Sequence, residues 1–212
     1  QLVAPAKLNP LGINPLRDLV SDLVDFERVN ACRTATVFVT ATNVRTGRAK
    51  VFTQPEISAD TVMASACLPF MFPAVEIDGE AYWDGGYSGN PALFPLVDNR
   101  DCQDLVVVQV NPFERQQAPD SARDIINRIN EITFNTSLVK ELRSIQLLQQ
   151  LIDGQQLDAE RYRSMRIHLI HAEQEVEQLS ASSKLNAQWN FVSSLFEQGR
   201  RWADEWLDEH FD

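Results

Sequence analysis

Residues 78–91 read DGEAYWDGGYSGNP, and this stretch holds four of the eight glycines of the chain. Glycine is needed where the backbone takes a positive φ or approaches another segment closely. The stretch therefore predicts a hairpin turn at Asp78-Gly79 and a sharp bend at Gly85-Gly86, beside Asp84. Asn90-Pro91 predicts a helix entrance, because asparagine caps helices and proline suits their first position. We expect the Asp84 carboxylate to project between the end of a strand and the start of a helix.

The residues before this stretch predict a hairpin and two helices. Residues 1–16 are dense in turn formers, which indicates an entry loop, and a short helix follows from Asn14 or Pro15 to Phe26. Residues 36–41 and 49–52 are rich in β-branched and aromatic residues and predict two strands joined by a turn at 45–48.

A second helix is predicted just before the glycine-rich stretch. Ser58 or Asp60 can cap a helix that runs through residues 62–66. Pro69 would end it, because the residue before a proline disfavours helical dihedral angles.

The residues after the glycine-rich stretch alternate between strand and helix patterns. Residues 105–110 are apolar almost without interruption, which predicts a strand covered on both faces. Apolar spacing predicts a long helix from Ser121 to about Ile152, a strand at 165–170 and a closing helix over 185–203. The alternation indicates an α/β fold, and the absence of a clear linker favours one domain over residues 1–212. Its part 121–212 is a helical region with one strand.

Composition and charge restrict the class of protein. The formal net charge of −11 argues against nucleic acid as a partner. No apolar run reaches the roughly 18 residues of a membrane helix. The odd number of cysteines, without a C-x-x-C pair, favours reduced thiols and a cytoplasmic location, and no metal or cofactor site is predicted. The N-terminus has neither methionine nor a signal segment, so we expect a fragment of a longer protein.

Three motifs in this order resemble those of the patatin-like phospholipase family. Asp84-Gly85-Gly86, followed by Asn90-Pro91, is similar to the family's aspartate motif and the helix start after it. Thr40-Ala41-Thr42-Asn43 with Thr46-Gly47, and ASACLPFMFP at 64–73, are similar to the stretches that precede that aspartate. The resemblance covers roughly residues 5–111.

The resemblance implies a three-layer α/β fold with a mixed, mostly parallel central sheet, incomplete on its N-terminal side. It also implies hydrolysis of a lipid or acyl ester by a Ser-Asp dyad, with Asp84 as the base in a loop formed with Trp83, Gly85 and Gly86. The family's serine lies in a G-x-S-x-G elbow, a pattern that these 212 residues lack. We expect a preceding segment of the same protein to supply it.

Alternative functions and nucleophiles remain open at this point. The chain could be a non-catalytic binding module or a degenerate fragment. Ser88 lies in a sequence similar to an elbow, but its last glycine falls one place early. Ser65 falls inside a predicted helix. His168 and His171 would suit a Ser-Asp-His triad in the chain order of the α/β-hydrolases.

Aromatic residues supply the candidates for substrate contacts. Phe70, Phe72 and Tyr87, with Met71 and Trp83, are candidates for the wall of an acyl pocket, although aromatic residues beside a sheet are more often part of the core. Three tryptophans on the closing helix suggest peripheral membrane contact as an alternative to core packing: Trp189, Trp202 and Trp206.

Overall fold

The computed structural model describes residues 9, 13–69, 71–97, 103–157, 164–171, 183 and 186–211. Contacts between Cα atoms divide the chain into two compact units, Gln1–Pro95 and Leu96–Asp212. Most of the predicted entry loop, residues 1–8 and 10–12, lies outside the described residues. The single domain over residues 1–212 stays a prediction.

The first unit combines short helices with one antiparallel sheet of four strands in the order β2-β1-β4-β3. In chain order its elements are α1 (Pro15–Leu23), α2 (Phe26–Ala31), β1 (Phe38–Asn43), β2 (Ala49–Thr53), α3 (Ala59–Ser65), β3 (Val75–Ile77), β4 (Glu80–Asp84) and a 3₁₀ turn (Gly85–Tyr87). A four-residue helix, α4 (Phe94–Val97), follows at the division between the units. The predicted strand pair and the helix before Pro69 are confirmed.

Short connections make the first sheet antiparallel. Between β1 and β2, the Asn43 side chain accepts the Thr46 backbone N–H at 2.9 Å, and Gly47 takes a φ of +67°. Between β3 and β4, Asp78 and Gly79 have φ values of 53° and 77°. Positive φ at both central residues is the signature of a type I′ hairpin, so the predicted turn at Asp78-Gly79 is confirmed.

The helices begin at side-chain caps. Asn14 accepts the Arg17 backbone N–H at the start of α1, as predicted, but α1 ends at Leu23 and does not reach Phe26. The reason is a second cap: the Asp25 side chain accepts the Arg28 backbone N–H and starts α2. A capping box of Ser58 and Thr61 starts α3.

The core of the first unit lies between α3 and the sheet. Among the described residues, a cluster of buried side chains there contains Ala41, Phe52, Ile57, Ala64 and Tyr82. The rings of Phe52 and Tyr82 meet edge to face, with centroids 5.4 Å apart. This packing fixes the sheet under α3 and therefore fixes the end of β4, where Asp84 lies.

The second unit pairs two parallel strands and carries two long helices. Its elements are β5 (Asp104–Gln109), α5 (Ala122–Asp153), β6 (Arg166–His171) and α6 (Trp189–His210). Strands β5 and β6 run parallel, with Leu105 opposite Ile167. A parallel pair needs a long crossover, which α5 provides. The predicted elements and the α/β class are confirmed here.

Two predictions about the sheet are wrong for the described residues. The strands form two separate sheets, one antiparallel and one parallel, where the family resemblance implied a mostly parallel central sheet. Single turns join β1 to β2 and β3 to β4 and exclude parallel pairing in those two pairs, and β1 and β4 also pair antiparallel. Strand β5 is covered on one face only, because Leu105 is 6% and Val107 4% exposed, whereas Val108 is 69% exposed.

One carboxylate is buried in the second unit. Glu131 on α5 is 7% exposed and lies 2.6 Å from an Arg115 nitrogen and 3.1 Å from an Arg128 nitrogen. Burial raises the pKa of Glu131, but hydrogen bonds from Arg115 and Arg128 outweigh it and leave the pKa below its usual value. The cluster ties α5 to the segment before it.

Within the part of the chain that the structure describes, no helix is long and apolar enough to cross a membrane.

Candidate active site

Strand β4 ends at Asp84, and hydrogen bonds hold the backbone of this residue on both sides. Its N–H donates to the carbonyl oxygen of Cys67 at 2.8 Å. Its carbonyl oxygen accepts the Thr42 hydroxyl, also at 2.8 Å. Because Cys67 follows α3 and Thr42 lies on β1, two different elements fix the position of Asp84.

The Asp84 carboxylate caps the turn that follows it. Its Oδ1 accepts the backbone N–H of Gly86 at 2.7 Å, a charge-assisted bond when the carboxylate is ionised. A carboxylate offers roughly four acceptor sites, so this bond is compatible with a second donor such as a hydroxyl. Asp84 itself is half-buried. The side chain is thus oriented locally before any substrate binds.

Gly85 allows the turn to lie close against β1. A Cβ atom at this position would stand 2.1 Å from the carbonyl oxygen of Thr40. The bend predicted at Gly85-Gly86 is observed as the 3₁₀ turn Gly85–Tyr87, and close approach explains the glycine at position 85.

The predicted helix entrance at Asn90-Pro91 is wrong. These two residues lie in a turn, and α4 begins at Phe94. Asparagine and proline are also frequent turn residues, so the pair is ambiguous on the sequence alone. Buried Ala92 and Leu93 separate the turn from the helix.

The charge of Asp84 raises the pKa of two further side chains. Burial raises the pKa of Tyr87, and the negative charges of Asp84 and Cys67 raise it further. Burial also raises the pKa of the Cys67 thiol, and Asp84 adds to that shift. Asp84, Cys67 and Tyr87 therefore share one weakly solvated environment.

Two serines considered as nucleophiles are engaged in local hydrogen bonds. Ser88 Oγ lies 2.8 Å from Thr42 Oγ1 and 3.2 Å from the carbonyl oxygen of Gly85. Ser65 Oγ donates to the carbonyl oxygen of Val62 at 2.7 Å, the usual arrangement of a helical serine. Ser65 therefore bonds within its own helix, whereas Ser88 bonds its own turn and the Thr42 side chain on β1.

The histidines of the triad alternative belong to the second unit. His168 Nε2 lies 3.0 Å from Asp104 Oδ1, and Arg166 binds the same carboxylate. Arg166 and His168 lower the pKa of Asp104 far below its usual range. The side chain of His171 lies outside the described residues. No cluster of three or more potential metal ligands occurs among the residues that the structure describes.

A cavity of about 410 Å³ lies beside Asp84's neighbour Cys67 in the first unit. The described residues that line it come from residue 9, the segment 13–17 at the start of α1, α3 with the two residues after it, and the segment 71–75. Phe72 and Met71 are part of this lining, and their role as the wall of an acyl pocket stays a prediction. Phe70 lies outside the described residues. Trp83 and Tyr87 are half-buried and are not among the described lining residues.

The remaining cysteines and tryptophans have ordinary environments. Cys32 and Cys67 are free thiols, and Cys102 lies outside the described residues. Trp206 packs its ring edge to face with His168, whereas Trp189 is 79% exposed.

Thr42 is the residue of this site that sequence reasoning missed. The motif Thr40-Ala41-Thr42-Asn43 contains it, but the residues share no single role. Asn43 stabilises the turn after β1, whereas Thr42 holds the backbone of Asp84. Only the pairing of β1 with β4 brings Thr42 next to the aspartate, opposite Trp83.

Comparison with known proteins finds one family for the first unit. Residues 4–97 match the patatin-like phospholipase family, a range that contains Thr42, Cys67 and Asp84. The curated proteins give no match to the chain. The resemblance seen in the three motifs to this family of lipid hydrolases is therefore confirmed over residues 4–97.

Proposed function

We propose that this chain supplies the general base of a serine acyl hydrolase that acts on lipids or other carboxylic esters. The base is Asp84, in a Ser-Asp dyad. The observation that carries the proposal is the placement of Asp84 inside the family match, with its backbone fixed by Cys67 and Thr42 and its carboxylate oriented by Gly86.

The proposed reaction proceeds through an acyl-serine. Asp84 takes the proton of the serine hydroxyl as the oxygen attacks the ester carbonyl, and the proton then passes to the departing alcohol. In the second half water attacks the acyl-serine while Asp84 takes its proton, the bond between the acyl carbon and the serine oxygen breaks, and Asp84 returns the proton to that oxygen as the acid leaves. The carboxylate has to lie about 2.6–3.2 Å from the hydroxyl in the reacting complex.

The neighbours of Asp84 support a role for it as the base. The raised pKa values of Cys67 and Tyr87 keep both side chains neutral at neutral pH. Neither the thiol nor the phenol is then ionised to compete with Asp84 as a base.

The serine of the dyad is proposed to come from a segment outside these 212 residues, since no G-x-S-x-G pattern occurs in them. Trp83, Gly85 and Gly86 are proposed to form the active-site loop. Peripheral contact with a membrane and a cytoplasmic location are also proposals.

The substitution Asp84→Asn in the complete protein tests this function. Asparagine keeps the shape but cannot take the proton, so turnover of a short acyl ester falls by about 10²–10⁴-fold. Asp78→Asn is the matched control, because it makes the same change at an exposed hairpin turn of the same unit. Normal esterase activity in a folded Asp84→Asn protein would refute the dyad.

Labelling of the complete protein by a fluorophosphonate separates the enzyme from the binding module. The enzyme is labelled at its serine, and prior incubation with substrate slows the labelling. A wild-type protein that stays unlabelled and hydrolyses no ester would favour the non-catalytic alternative.

A further inference from the structure

Helix α6 presents an apolar face that is exposed in the described part of the chain. Trp189, Val192, Phe196 and Leu207 are 79%, 44%, 61% and 43% exposed. Because successive residues of an α-helix turn by about 100°, these four side chains leave the helix within an arc of about 60°. They form the outer face of α6. The helix lies beyond residues 4–97, so the family match does not account for this face.

The other side of α6 holds the helix on the second unit. Trp206 packs against His168 of β6 with ring centroids 5.7 Å apart, and Trp202, on the same side of the helix, is half-buried. No residue of this 22-residue helix is fully buried, however. Helices in proteins take most of their stability from the packing of an apolar face. A helix that packs on one side only therefore leaves its outer face available to a second partner.

Three carboxylates follow one border of the outer face. Glu197, Asp204 and Asp208 are exposed, and their spacing of seven and four residues places them along the same edge of the helix. Among the described residues none of the three is in an ion pair. The whole helix carries five carboxylates and two arginines, a formal net charge of −3 with histidine neutral. One of these arginines, Arg200, lies over the Phe196 ring, with its guanidinium carbon 5.9 Å from the ring centroid.

We infer that the outer face of α6 binds a basic amphipathic helix of a partner protein. The apolar side chains of that helix would cover Trp189 and Phe196, and lysines or arginines beside them would lie opposite the three carboxylates. The outer face extends from Trp189 to Leu207, a length of about 27 Å, which matches roughly 18 residues of a partner helix.

The available area indicates a weak, transient complex. The exposed parts of Trp189 and Phe196 offer about 300 Å² of aromatic surface. A standard interface buries about 800 Å² on each partner. The remaining area would have to come from Val192, Leu207 and the charged border, which places the complex at the small end of specific interfaces.

Charge argues against two other occupants of the outer face. In a two-fold dimer the same surface of both copies meets, so the carboxylates of one α6 would approach those of the other, in a chain whose formal net charge is −11. Helices that lie on a bilayer typically carry lysine and arginine on their polar side. The border of α6 is acidic and would be repelled by anionic lipid. None of this depends on Asp84, so the inference stands apart from the proposed function.

Two synthetic peptides of opposite charge test the inference on the 212-residue chain. Both have about 18 residues with leucines at helical spacing, and the other positions are all lysine in one peptide and all glutamate in the second. Fluorescence anisotropy of the labelled peptides measures their binding. We expect the leucine-lysine peptide to bind about tenfold more tightly or better, and its affinity to fall between about 50 and about 300 mM salt.

Substitutions on the outer face show whether the peptide binds there. Phe196 and Leu207 are exposed, so Phe196→Ser combined with Leu207→Ser removes apolar contacts without opening the core. This double variant is expected to weaken binding of the leucine-lysine peptide by about tenfold or more. Ile126→Ser is the matched control, since Ile126 is 59% exposed on α5, and it leaves the affinity within about twofold.

A second pair of variants tests the acidic border. Asp204→Asn combined with Asp208→Asn is expected to weaken binding by about threefold to tenfold and to reduce its salt dependence. Asp120→Asn combined with Asp153→Asn makes the same change of charge at two exposed positions outside α6. This control keeps the wild-type affinity within about twofold.

Four results would overturn the inference. Equal affinities for the two peptides, or undiminished binding by the Phe196→Ser, Leu207→Ser protein, would show that a basic helix is not selected or does not bind at this face. A dimer of the chain in analytical ultracentrifugation that this double variant dissociates would assign the face to a second copy. Binding to vesicles of phosphatidylcholine and phosphatidylglycerol that the same variant loses would assign it to lipid.

Discussion

Thr42 donates its hydroxyl to the carbonyl oxygen of Asp84 at 2.8 Å, across 42 residues of sequence. Thr42 is only 5% exposed, so little water can replace it as a donor. The bond joins β1 to the point where β4 ends and the 3₁₀ turn begins. Together with the bond from the Asp84 N–H to the Cys67 carbonyl, it therefore sets where the aspartate leaves the sheet.

Removal of this hydroxyl is expected to destabilise the first unit. Thr42→Val keeps the shape but leaves a buried carbonyl without its donor, at a cost of about 1–3 kcal/mol in the free energy of unfolding. Thr42→Ser keeps the donor and recovers most of that loss. Urea unfolding followed by circular dichroism measures both. Equal stability of the valine and serine variants would contradict the role of the hydroxyl.

Gly85→Ala is expected to be strongly destabilising, because the new Cβ would lie 2.1 Å from the backbone oxygen of Thr40. The cost reaches at least the upper end of the roughly 1–3 kcal/mol typical of overpacking. Gly199→Ala is the contrasting control, since it lies inside α6 with nothing within 4 Å of the new Cβ. That control stabilises its helix by about 0.5–1 kcal/mol. Thermal unfolding of both variants measures these changes in stability. A Gly85→Ala protein as stable as wild type would show that the turn can shift.

The charge of Asp84 should be detectable at Tyr87. Burial is the larger cause of the raised pKa of Tyr87, and the Asp84 charge is the next. Asp84→Asn removes that charge, so the Tyr87 pKa falls but stays above its ordinary value. Absorbance titration near 295 nm follows the ionisation of the tyrosines. The signal of Tyr87 is obtained by subtracting the titration of the Tyr87→Phe protein from that of the wild type, and that of the Asp84→Asn, Tyr87→Phe double variant from that of Asp84→Asn. An unchanged Tyr87 pKa would mean that the two groups are screened from one another.

Glu131 should contribute to stability at neutral pH and lose that contribution in acid. Its pKa is lower in the folded state than in the unfolded state, so the stabilisation is present above about pH 4.3 and is lost as the pH falls through the folded pKa. Glu131→Gln therefore lowers the free energy of unfolding by about 1–3 kcal/mol at pH 7. The difference from wild type shrinks below about pH 4.

A glutamate on the surface of the same unit is the control for that measurement. Glu114 is exposed, and Glu114→Gln changes the stability by no more than about 0.5 kcal/mol. Denaturant unfolding at a series of pH values compares the two variants. A Glu131→Gln deficit that stayed constant down to pH 2 would contradict the ion-pair explanation.

Local chemistry made most elements predictable from the sequence. The turn at Asp78-Gly79 and the helix cap at Ser58 depend on only a few neighbouring residues. The local sequence was therefore sufficient to predict both. The prediction of a helix start at Asn90-Pro91 was wrong because the same two residues suit a turn as well as a helix start. The predicted end of α1 at Phe26 was wrong because Asp25 caps a second helix.

Sheet organisation was less predictable, because pairing depends on connections and on distant partners. The apolar run 105–110 predicted a strand correctly, but its pattern does not reveal how many neighbours cover it. In the structure β5 pairs with β6 alone among the described strands, and one of its faces is exposed.

By itself, the sequence determined the family resemblance, the α/β class and the selection of Asp84, since short motifs carry these in consecutive residues. Only the tertiary structure decided how Asp84 is held, because Thr42 and Cys67 reach it through strand pairing and helix packing. The cavity likewise forms from α1, α3 and the segment 71–75. No periodicity in the chain encodes such a volume, since it depends on the distances between elements that are far apart in sequence.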